Sequence, residues 1–248
     1  MTSSPIRVLV TRPTHQAEHL CERLVANGFQ PVRYPTIEIQ PVKEITLTKK
    51  TLSQTHRFQY IIFISANAVI HANKIHPLSQ ITPPTQVVAI GPKTAETLEK
   101  NGLTPDTISA QPFNSEQLLK KLPRGLVPQN CLIIKGEQGR EFLAQELTKA
   151  GFSVKTIDVY KRTLPTQQQP LSSSSVPYIT ITSQLALKNL RILQQVNWRQ
   201  FQQHSRFIVF SQRIADAAKQ LGCKHIIVSN QANDEGLITA LKLSQLSQ

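Results

Sequence analysis

Val88-Ala89-Ile90-Gly91-Pro92-Lys93-Thr94-Ala95-Glu96 runs on to Gly102, and Ile208-Val209-Phe210-Ser211-Gln212-Arg213-Ile214-Ala215-Asp216 runs on to Gly222, 120 residues later. Each copy opens on a short apolar run, turns through small or flexible residues, continues with helical periodicity and closes on a glycine. An apolar run of strand length leading into an amphipathic helix is one module of a parallel sheet buried on both faces. The same alternation occurs at Ile6–Val10 before about 16–26, and at Tyr60–Ile64 before 67–74. It returns at Cys131–Ile134, Tyr178–Ile181, Phe207–Phe210 and His225–Val228. The fold class is therefore α/β.

Two further echoes extend the repeat. Thr36-Ile37-Glu38-Ile39 recurs as Thr156-Ile157-Asp158-Val159, again 120 residues on, and Tyr60–Ser65 resembles Tyr178–Ser183 at a spacing of 118. A duplicated unit of three strand–helix modules is expected. Two divisions of the chain fit it. Tandem lobes would part near Gly125, where 123–125 and Pro128 break the pattern. Alternatively 36–42 and 156–163, alternating and flanked by Pro35, Pro41 and Pro165, run side by side as two linkers. One lobe is then 43–157, and the other joins the N-terminal module to everything beyond the Gln- and Ser-rich stretch 167–175. Periodicity leaves both open.

Nine glycines in 248 residues fall below the usual ~7%, so their positions carry information. Gly28, Gly102, Gly151 and Gly222 end helical segments, where a left-handed residue closes the helix. Gly91, Gly136 and Gly139 instead follow strand ends, where open α/β sheets place ligands.

Composition excludes several classes. Hydrophobic residues make up 40% and charged residues 17%, which suits one large or two ordinary domains and argues against disorder. The 28 Lys and Arg against 15 Asp and Glu give +13, a charge that attracts nucleic acid, an acidic membrane surface, or a small polycarboxylate or phosphate. Cys21, Cys131 and Cys223 are odd in number and far apart, which points to a reducing cytoplasm and no structural zinc. The start of the chain lacks a signal-peptide pattern and no apolar run is long enough to span a membrane. His15 and His19, four apart on one helix, have no third ligand and read as a solvated face, as do Lys49-Lys50 and Lys120-Lys121. Gly136-Glu137-Gln138-Gly139 is half a dinucleotide fingerprint, and no phosphate-loop or zinc-protease motif occurs.

Seven motifs taken in order carry a resemblance over essentially the whole chain. They are Val10-Thr11-Arg12-Pro13, Phe63-Ile64-Ser65-Ala66-Asn67-Ala68-Val69, Ala89-Ile90-Gly91-Pro92-Lys93-Thr94-Ala95, Ile134-Lys135-Gly136-Glu137-Gln138-Gly139-Arg140-Glu141, Val159-Tyr160-Lys161-Arg162, Thr182-Ser183 and Ser211-Gln212-Arg213-Ile214-Ala215. Each is common alone; together, at this spacing, they resemble the uroporphyrinogen-III synthase family. The resemblance implies the second division: two flavodoxin-like or Rossmann-like parallel-sheet lobes joined by a two-stranded linker ladder, with the active site in the cleft. Lobe 1 is 1–37 plus 164–248, lobe 2 is 43–157, and 38–42 and 158–163 are linkers. The family pattern has Gly-Pro-x-Thr in the second copy also; Ser211-Gln212-Arg213-Ile214 stands there in this chain, so position 214 offers no hydroxyl.

The implied reaction converts hydroxymethylbilane, a linear tetrapyrrole supplied by the upstream hydroxymethylbilane synthase, into uroporphyrinogen III, inverting the last ring and losing water. A pyrrole nitrogen expels the protonated hydroxymethyl oxygen, the substituted carbon of the last ring attacks the azafulvene, and a spiro intermediate fragments and recloses. No cofactor or metal is needed. Holding both ends of the bilane carries most of the catalysis, and helix N-termini suit its carboxylates. The strand-to-helix turns supply the candidate contacts: Thr11 and Arg12; Ser65, Ala66 and Asn67; Gly91, Lys93 and Thr94; Gly136, Gln138, Gly139 and Arg140; Thr182, Ser183 and Gln184; Ser211, Gln212 and Arg213. Each has a second reading. The hydroxyls of Ser65, Thr182 and Ser183 serve equally as N-caps, the four cations as solvated surface, and Asn67 as a turn former.

Tyr160 matches the family's candidate proton donor, since a phenol is protonated at neutral pH; its other reading is a structural tyrosine of the ladder. The expected protein is a cytoplasmic monomer without nucleic-acid or membrane partners. The competing reading is a basic α/β binding protein for nucleic acid or a phosphorylated ligand, without catalysis. Aromatics at 6% are too sparse for a base-stacking platform.

Overall fold

The computed structural model describes residues 5–122, 129–137, 139, 141–166, 169–172 and 175–246. In chain order β1 (Ile6–Val10), α1 (Thr14–Ala26), β2 (Phe29–Arg33) and β3 (Glu38–Pro41) come first. They are followed by α2 (Thr46–Leu52), β4 (Tyr60–Phe63), α3 (Ala66–Ile75), β5 (Gln86–Ala89), α4 (Pro92–Lys100), β6 (Thr107–Ile108) and α5 (Ser115–Lys121). Next are β7 (Asn130–Gly136), α6 (Phe142–Lys149), β8 (Ser153–Thr163), β9 (Tyr178–Ile181), α7 (Gln184–Leu193) and α8 (Trp198–His204). The chain ends with β10 (Arg206–Val209), α9 (Gln212–Gln220), β11 (His225–Val228) and α10 (Asp234–Leu246).

Two compact units result, Met1–Glu38 with Thr163–Gln248, and Ile39–Arg162. The first holds a five-stranded sheet ordered β11-β10-β9-β1-β2; the second holds a six-stranded sheet ordered β3-β8-β7-β4-β5-β6. From β1 to β2, β9, β10 and β11, every pairing in the first sheet is parallel, as are those from β4 to β5, β6, β7 and β8 in the second. Counted along the chain, the first unit has the 2-1-3-4-5 order of flavodoxin-like folds. The second, setting β3 at its edge aside, has the 3-2-1-4-5 order of Rossmann-like folds. The two orders become one if counting in the first unit begins at β9.

Both sheets are covered on both faces, as the apolar runs require. In the second unit, Ile61 and Phe63 of β4 with Leu132 and Ile134 of β7 pack against α3 and α4, while Tyr60, Ile62, Cys131 and Ile133 pack against α5 and α6. In the first, Leu9, Ile179 and Val209 meet α7, α8 and α9, while Val8, Val10 and Ile208 meet α1 and α10. Alternate residues of one strand thus feed two different cores.

Gly28, Gly102, Gly151 and Gly222 all have positive φ, between 77° and 91°, the backbone state in which an added Cβ is strained. They also correct part of the repeat. Gly102 and Gly222 are 120 apart, matching β5-α4 with β10-α9; Gly28 and Gly151, closing α1 and α6, are 123 apart. The likeness of Thr36–Ile39 to Thr156–Val159 at 120 is therefore three residues out of structural register. Proline explains why β2 escapes the periodicity: Pro31 interrupts its apolar run and is tolerated because β2 lies at a sheet edge. The segments 38–42 and 158–163 fall on β3 and on the end of β8, which lie side by side in the second sheet, β8 beginning at Ser153.

All three cysteines are buried and free. Burial pushes the Cys131 and Cys223 thiols up from 9.0 to about 12 and raises that of Cys21 against the opposing pull of Arg33. A thiol held neutral in the fold contributes stability that is complete below the unfolded thiol's pKa and lost as pH climbs from about 9 toward 12. The folded chain is expected to resist iodoacetamide at pH 8, to label at all three positions in urea, and to show a falling urea midpoint above pH 9. Stoichiometric labelling of Cys131 or Cys223 in folded protein would contradict this.

Candidate active site

The pairing of β7 with β8 slips at its end: Lys135 faces Asp158, but Gly136 faces Tyr160. Such a bulge re-aims the side chain that follows it, and here it lays the Tyr160 ring against the Gly136 backbone. A methyl at Gly136 would stand 2.5 Å from Cζ of that ring, so this glycine is required by contact rather than by φ. The Glu137 N–H donates to the Tyr160 carbonyl at 2.8 Å and continues the ladder past the slip.

Tyr160 is 1% exposed, yet its hydroxyl is fully engaged. It accepts from Nη2 of Arg162 at 2.7 Å and lies 3.2 Å from Oγ of Ser65. Ser65 also caps α3, accepting the Ala68 N–H at 3.0 Å. The guanidinium of Arg162 lies 5.2 Å from the ring centroid, and the His71 ring from α3 is tilted against the same ring at 5.6 Å.

Beside it, Lys135 is buried with its ammonium 2.9 Å from Asp158 and 3.3 Å from Glu141. Burial pulls its pKa down, but the bonds to Asp158 and then Glu141 outweigh that and raise it. A cavity of about 280 Å³ opens here, walled by Ile64, Ile90, Lys135, Gly136, Tyr160 and Arg162 among others. It lies at the ends of β4 and β7, where the strand order of the second unit reverses and ligands of open sheets bind. Gly91 has its own steric reason, because Cβ of Phe113 would stand 3.2 Å from an added methyl. Gly139 lies close behind Gly136, whose carbonyl would stand 3.1 Å from a methyl there. Gln138 and Arg140 fall outside the described residues.

The remaining expected contacts separate into three groups. Some belong to the frame. Thr11 is fully buried and its hydroxyl donates to the Thr180 carbonyl at 2.7 Å; Thr94 is 4% exposed, and Ile214, at the matching place, 2%. Position 214 is thus as buried with its apolar side chain as position 94 is with its hydroxyl. Asn67 is buried while Ala66 is partly exposed at the start of α3. Others are capped or paired. Ser183 caps α7 through the Ala186 N–H at 3.1 Å, as Ser65 caps α3. Arg12 is bound to Asp234 at 2.6 Å and lies over Phe210, Lys93 binds Glu96 at 2.9 Å, and Gln212 donates to Asp216 at 2.7 Å. In the third group no side chain caps the helix: α4 and α9 follow Gly91 and Ser211, neither of which caps through a side chain. Arg213 and Gln184 are exposed beside one another, with Gln184 donating to the Arg213 carbonyl at 3.4 Å, and Thr182 is partly exposed at the end of β9.

Arg162, Lys135, Glu141, Asp158, His71 and Asp234 are the functional candidates that motif reading passes over. Arg162 is within its reach, since residues two apart on a strand share a face. His71 meets Tyr160 from a different element, and Asp234 pairs with Arg12 from the far end of the chain; no local pattern signals either. Among the described residues no three His, Cys, Asp or Glu side chains gather as a metal site, and no helix is long and apolar enough to cross a membrane.

The family model for uroporphyrinogen-III synthase HemD matches residues 18–239. The uroporphyrinogen-III synthase of Escherichia coli K12 is 27% identical over 251 residues, covering 95% of this chain and 99% of the relative. That of Proteus mirabilis is 32% identical over 160 residues, covering 62% of this chain and 79% of the relative. Among solved structures, a mutant uroporphyrinogen III synthase from Thermus thermophilus has a TM-score of 0.66 at 14% identity, covering 98% of this chain and 100% of that one. The Helicobacter pylori uroporphyrinogen-III synthetase has a TM-score of 0.63 at 15% identity, with the same coverage. The structural likeness establishes the shared fold and the sequence match carries kinship from residue 18 to residue 239, so the chain belongs to the uroporphyrinogen-III synthase family.

Proposed function

We propose that the chain is a lyase of tetrapyrrole biosynthesis that closes hydroxymethylbilane to uroporphyrinogen III, with inversion of the last ring and loss of water. The observation that carries this reading is the family match across residues 18–239. Tyr160 gives its proton to the departing hydroxyl from the wall of the cavity at the β4 and β7 ends. The uncapped N-termini of α4 and α9, at Gly91 and Ser211, offer N–H groups to the substrate's carboxylates. Ser65, Gly136, Thr182 and Arg213 complete the proposed contacts, and Thr11 and Thr94 act as frame beneath them.

The functional lobes in this reading are 1–37 with 164–248, and 43–157. Tyr160 then stands on one of the segments, 38–42 and 158–163, that connect them. The protein works as a cytoplasmic monomer on bilane released by the preceding synthase. A nucleic-acid binder built on the same helix ends is the weaker reading, because the family match speaks for chemistry.

The test supplies hydroxymethylbilane from its synthase, adds this protein, oxidises the products and separates the porphyrin isomers. The type III isomer is expected; type I alone would overturn the proposal. In the same assay Tyr160→Phe, folded by circular dichroism, should lose about a hundredfold in turnover, within the range for a general acid. Gly136→Ala forces the Tyr160 ring off its seat and should lower turnover at least about tenfold, the cost of misplacing a reacting group. Unchanged turnover in Tyr160→Phe would remove that residue from the mechanism.

A further inference from the structure

We propose that Arg162 is a positioning residue that makes Tyr160 a reversible proton carrier, with Ser65 closing the other side of a pocket for the phenolate. The inference rests on Tyr160 serving the cyclisation proposed above.

A guanidinium has donors only and stays protonated, so in its 2.7 Å contact with Arg162 the phenol oxygen must accept. The phenol proton then points to the other neighbour, Oγ of Ser65 at 3.2 Å. Ser65 receives that proton while also taking the Ala68 N–H at 3.0 Å. Once the phenol gives its proton away, the Ser65 hydroxyl turns and donates to the oxygen, still held by Ala68. The neutral phenol thus has one donor and one acceptor, and the phenolate has two donors. One of the two is a permanent cation, and the other sits at the start of α3 (Ala66–Ile75), whose positive end favours the new charge. Both donors are therefore in place before the proton leaves.

The other charged and titratable groups around Tyr160 do not supply this. The ring of His71 of α3 lies tilted against the ring of Tyr160, at 5.6 Å between centroids. Lys135 of β7 is tied to Asp158 of β8 and to Glu141 ahead of α6. Glu116 of α5 and Glu141 line the same cavity with negative charge, and Glu137 offers its backbone N–H to the Tyr160 carbonyl.

The reaction uses such a carrier twice. In the first step the phenol O–H turns from Ser65 to the hydroxymethyl oxygen and gives it the proton, the C–O bond breaks with its electron pair leaving in water, and the pyrrole nitrogen lone pair fills the vacancy at carbon. After the spiro intermediate has fragmented and reclosed, the inverted ring carries one hydrogen too many on a ring carbon. The phenolate removes it, the C–H electron pair returns to the ring, and aromaticity and the phenol are both restored. Water is the sole by-product and no proton is gained or lost overall.

The test measures kcat and KM against pH for the full chain and for Arg162→Met, Arg162→Lys and Tyr160→Phe. In Arg162→Met, kcat should fall roughly ten- to a hundredfold, the usual worth of a hydrogen bond to a charged group, with KM little changed. Its alkaline limb should move to higher pH, because a phenolate without its cation forms less readily. Arg162→Lys should recover part of kcat and move the limb back; Tyr160→Phe should lack that limb. In fluorotyrosine-labelled protein, the fluorine resonance missing from Tyr160→Phe should titrate at higher pH in Arg162→Met, a reading independent of turnover. A raised KM with kcat and the alkaline limb unmoved would make Arg162 a substrate ligand and overturn the proposal while leaving Tyr160 in place. Full activity in Tyr160→Phe would instead overturn the underlying reading. A fluorine titration unmoved by Arg162→Met also overturns the phenolate pocket.

Discussion

A strand buried on both faces has no polar side to turn toward water, and each unit of this chain is organised by that restriction. Ile61, Ile62 and Phe63 are all fully buried, in two different cores. Their backbones are satisfied by parallel neighbours, parallel neighbours need helical crossovers, and crossovers bring strand C-termini and helix N-termini to one edge. There the buried central strands give way to polar side chains and to helix N-termini. Ser65, Gly91, Gly136, Thr182 and Ser211 occupy that edge in their units, at or just past strand ends. Tyr160 belongs to the same edge by a different route, through the slip that seats it on Gly136.

The parallel-sheet class and the central strands are legible in sequence because burial on both faces leaves uninterrupted apolar runs. Their boundaries match well: Ile6–Val10 and Tyr178–Ile181 are strands as read. Legibility fades where burial does. β6 is two residues long, and β2 carries Pro31 at an edge, so neither shows an apolar run. The repeat fades in the same way. Its β4-β5-β6 and β9-β10-β11 copies keep a spacing of 118 to 120, whereas β1-α1-β2 and β7-α6-β8 have drifted to 123 between their closing glycines. In the first unit the chain supplies that module before the other three strands, and in the second unit after them.

The site is legible at its backbone and much less so at its side chains. The division of glycines into helix closers and ligand turns follows from where each falls relative to a strand, and the positive φ of the four closers agrees with it. Hydroxyls are harder, because one oxygen serves either a ligand or the fold. Ser65 and Ser183 each commit a lone pair to the third N–H of a helix, and Thr11 commits its proton to Thr180. Ser65 still has capacity for Tyr160, so capping and participation in the site are compatible there. Lys135 is hidden by its position at the end of an apolar run, where a lysine reads as the point at which burial stops. Asp158 and Glu141 reverse that reading by keeping the ammonium charged inside.

The surplus of positive charge, +13 overall, also changes meaning once partners are known. Two of the cations expected to meet substrate are already neutralised within the fold, Arg12 by Asp234 and Lys93 by Glu96. The Lys100 and Lys93 ammonium groups hold the Glu96 carboxyl at about 2, so the carboxylate beside Lys93 is ionised at neutral pH. A polycarboxylate approaching these turns therefore competes with carboxylates already in place, and a side-chain cation gains little selectivity from net charge. Backbone N–H groups at Gly91 and Ser211 face no such competitor from a capping side chain. Their partial charges are fixed by the helices and cannot fold back onto a neighbouring glutamate. In the reading proposed above, recognition of carboxylates falls to the helix N-termini that each sheet leaves uncapped rather than to the count of lysines and arginines.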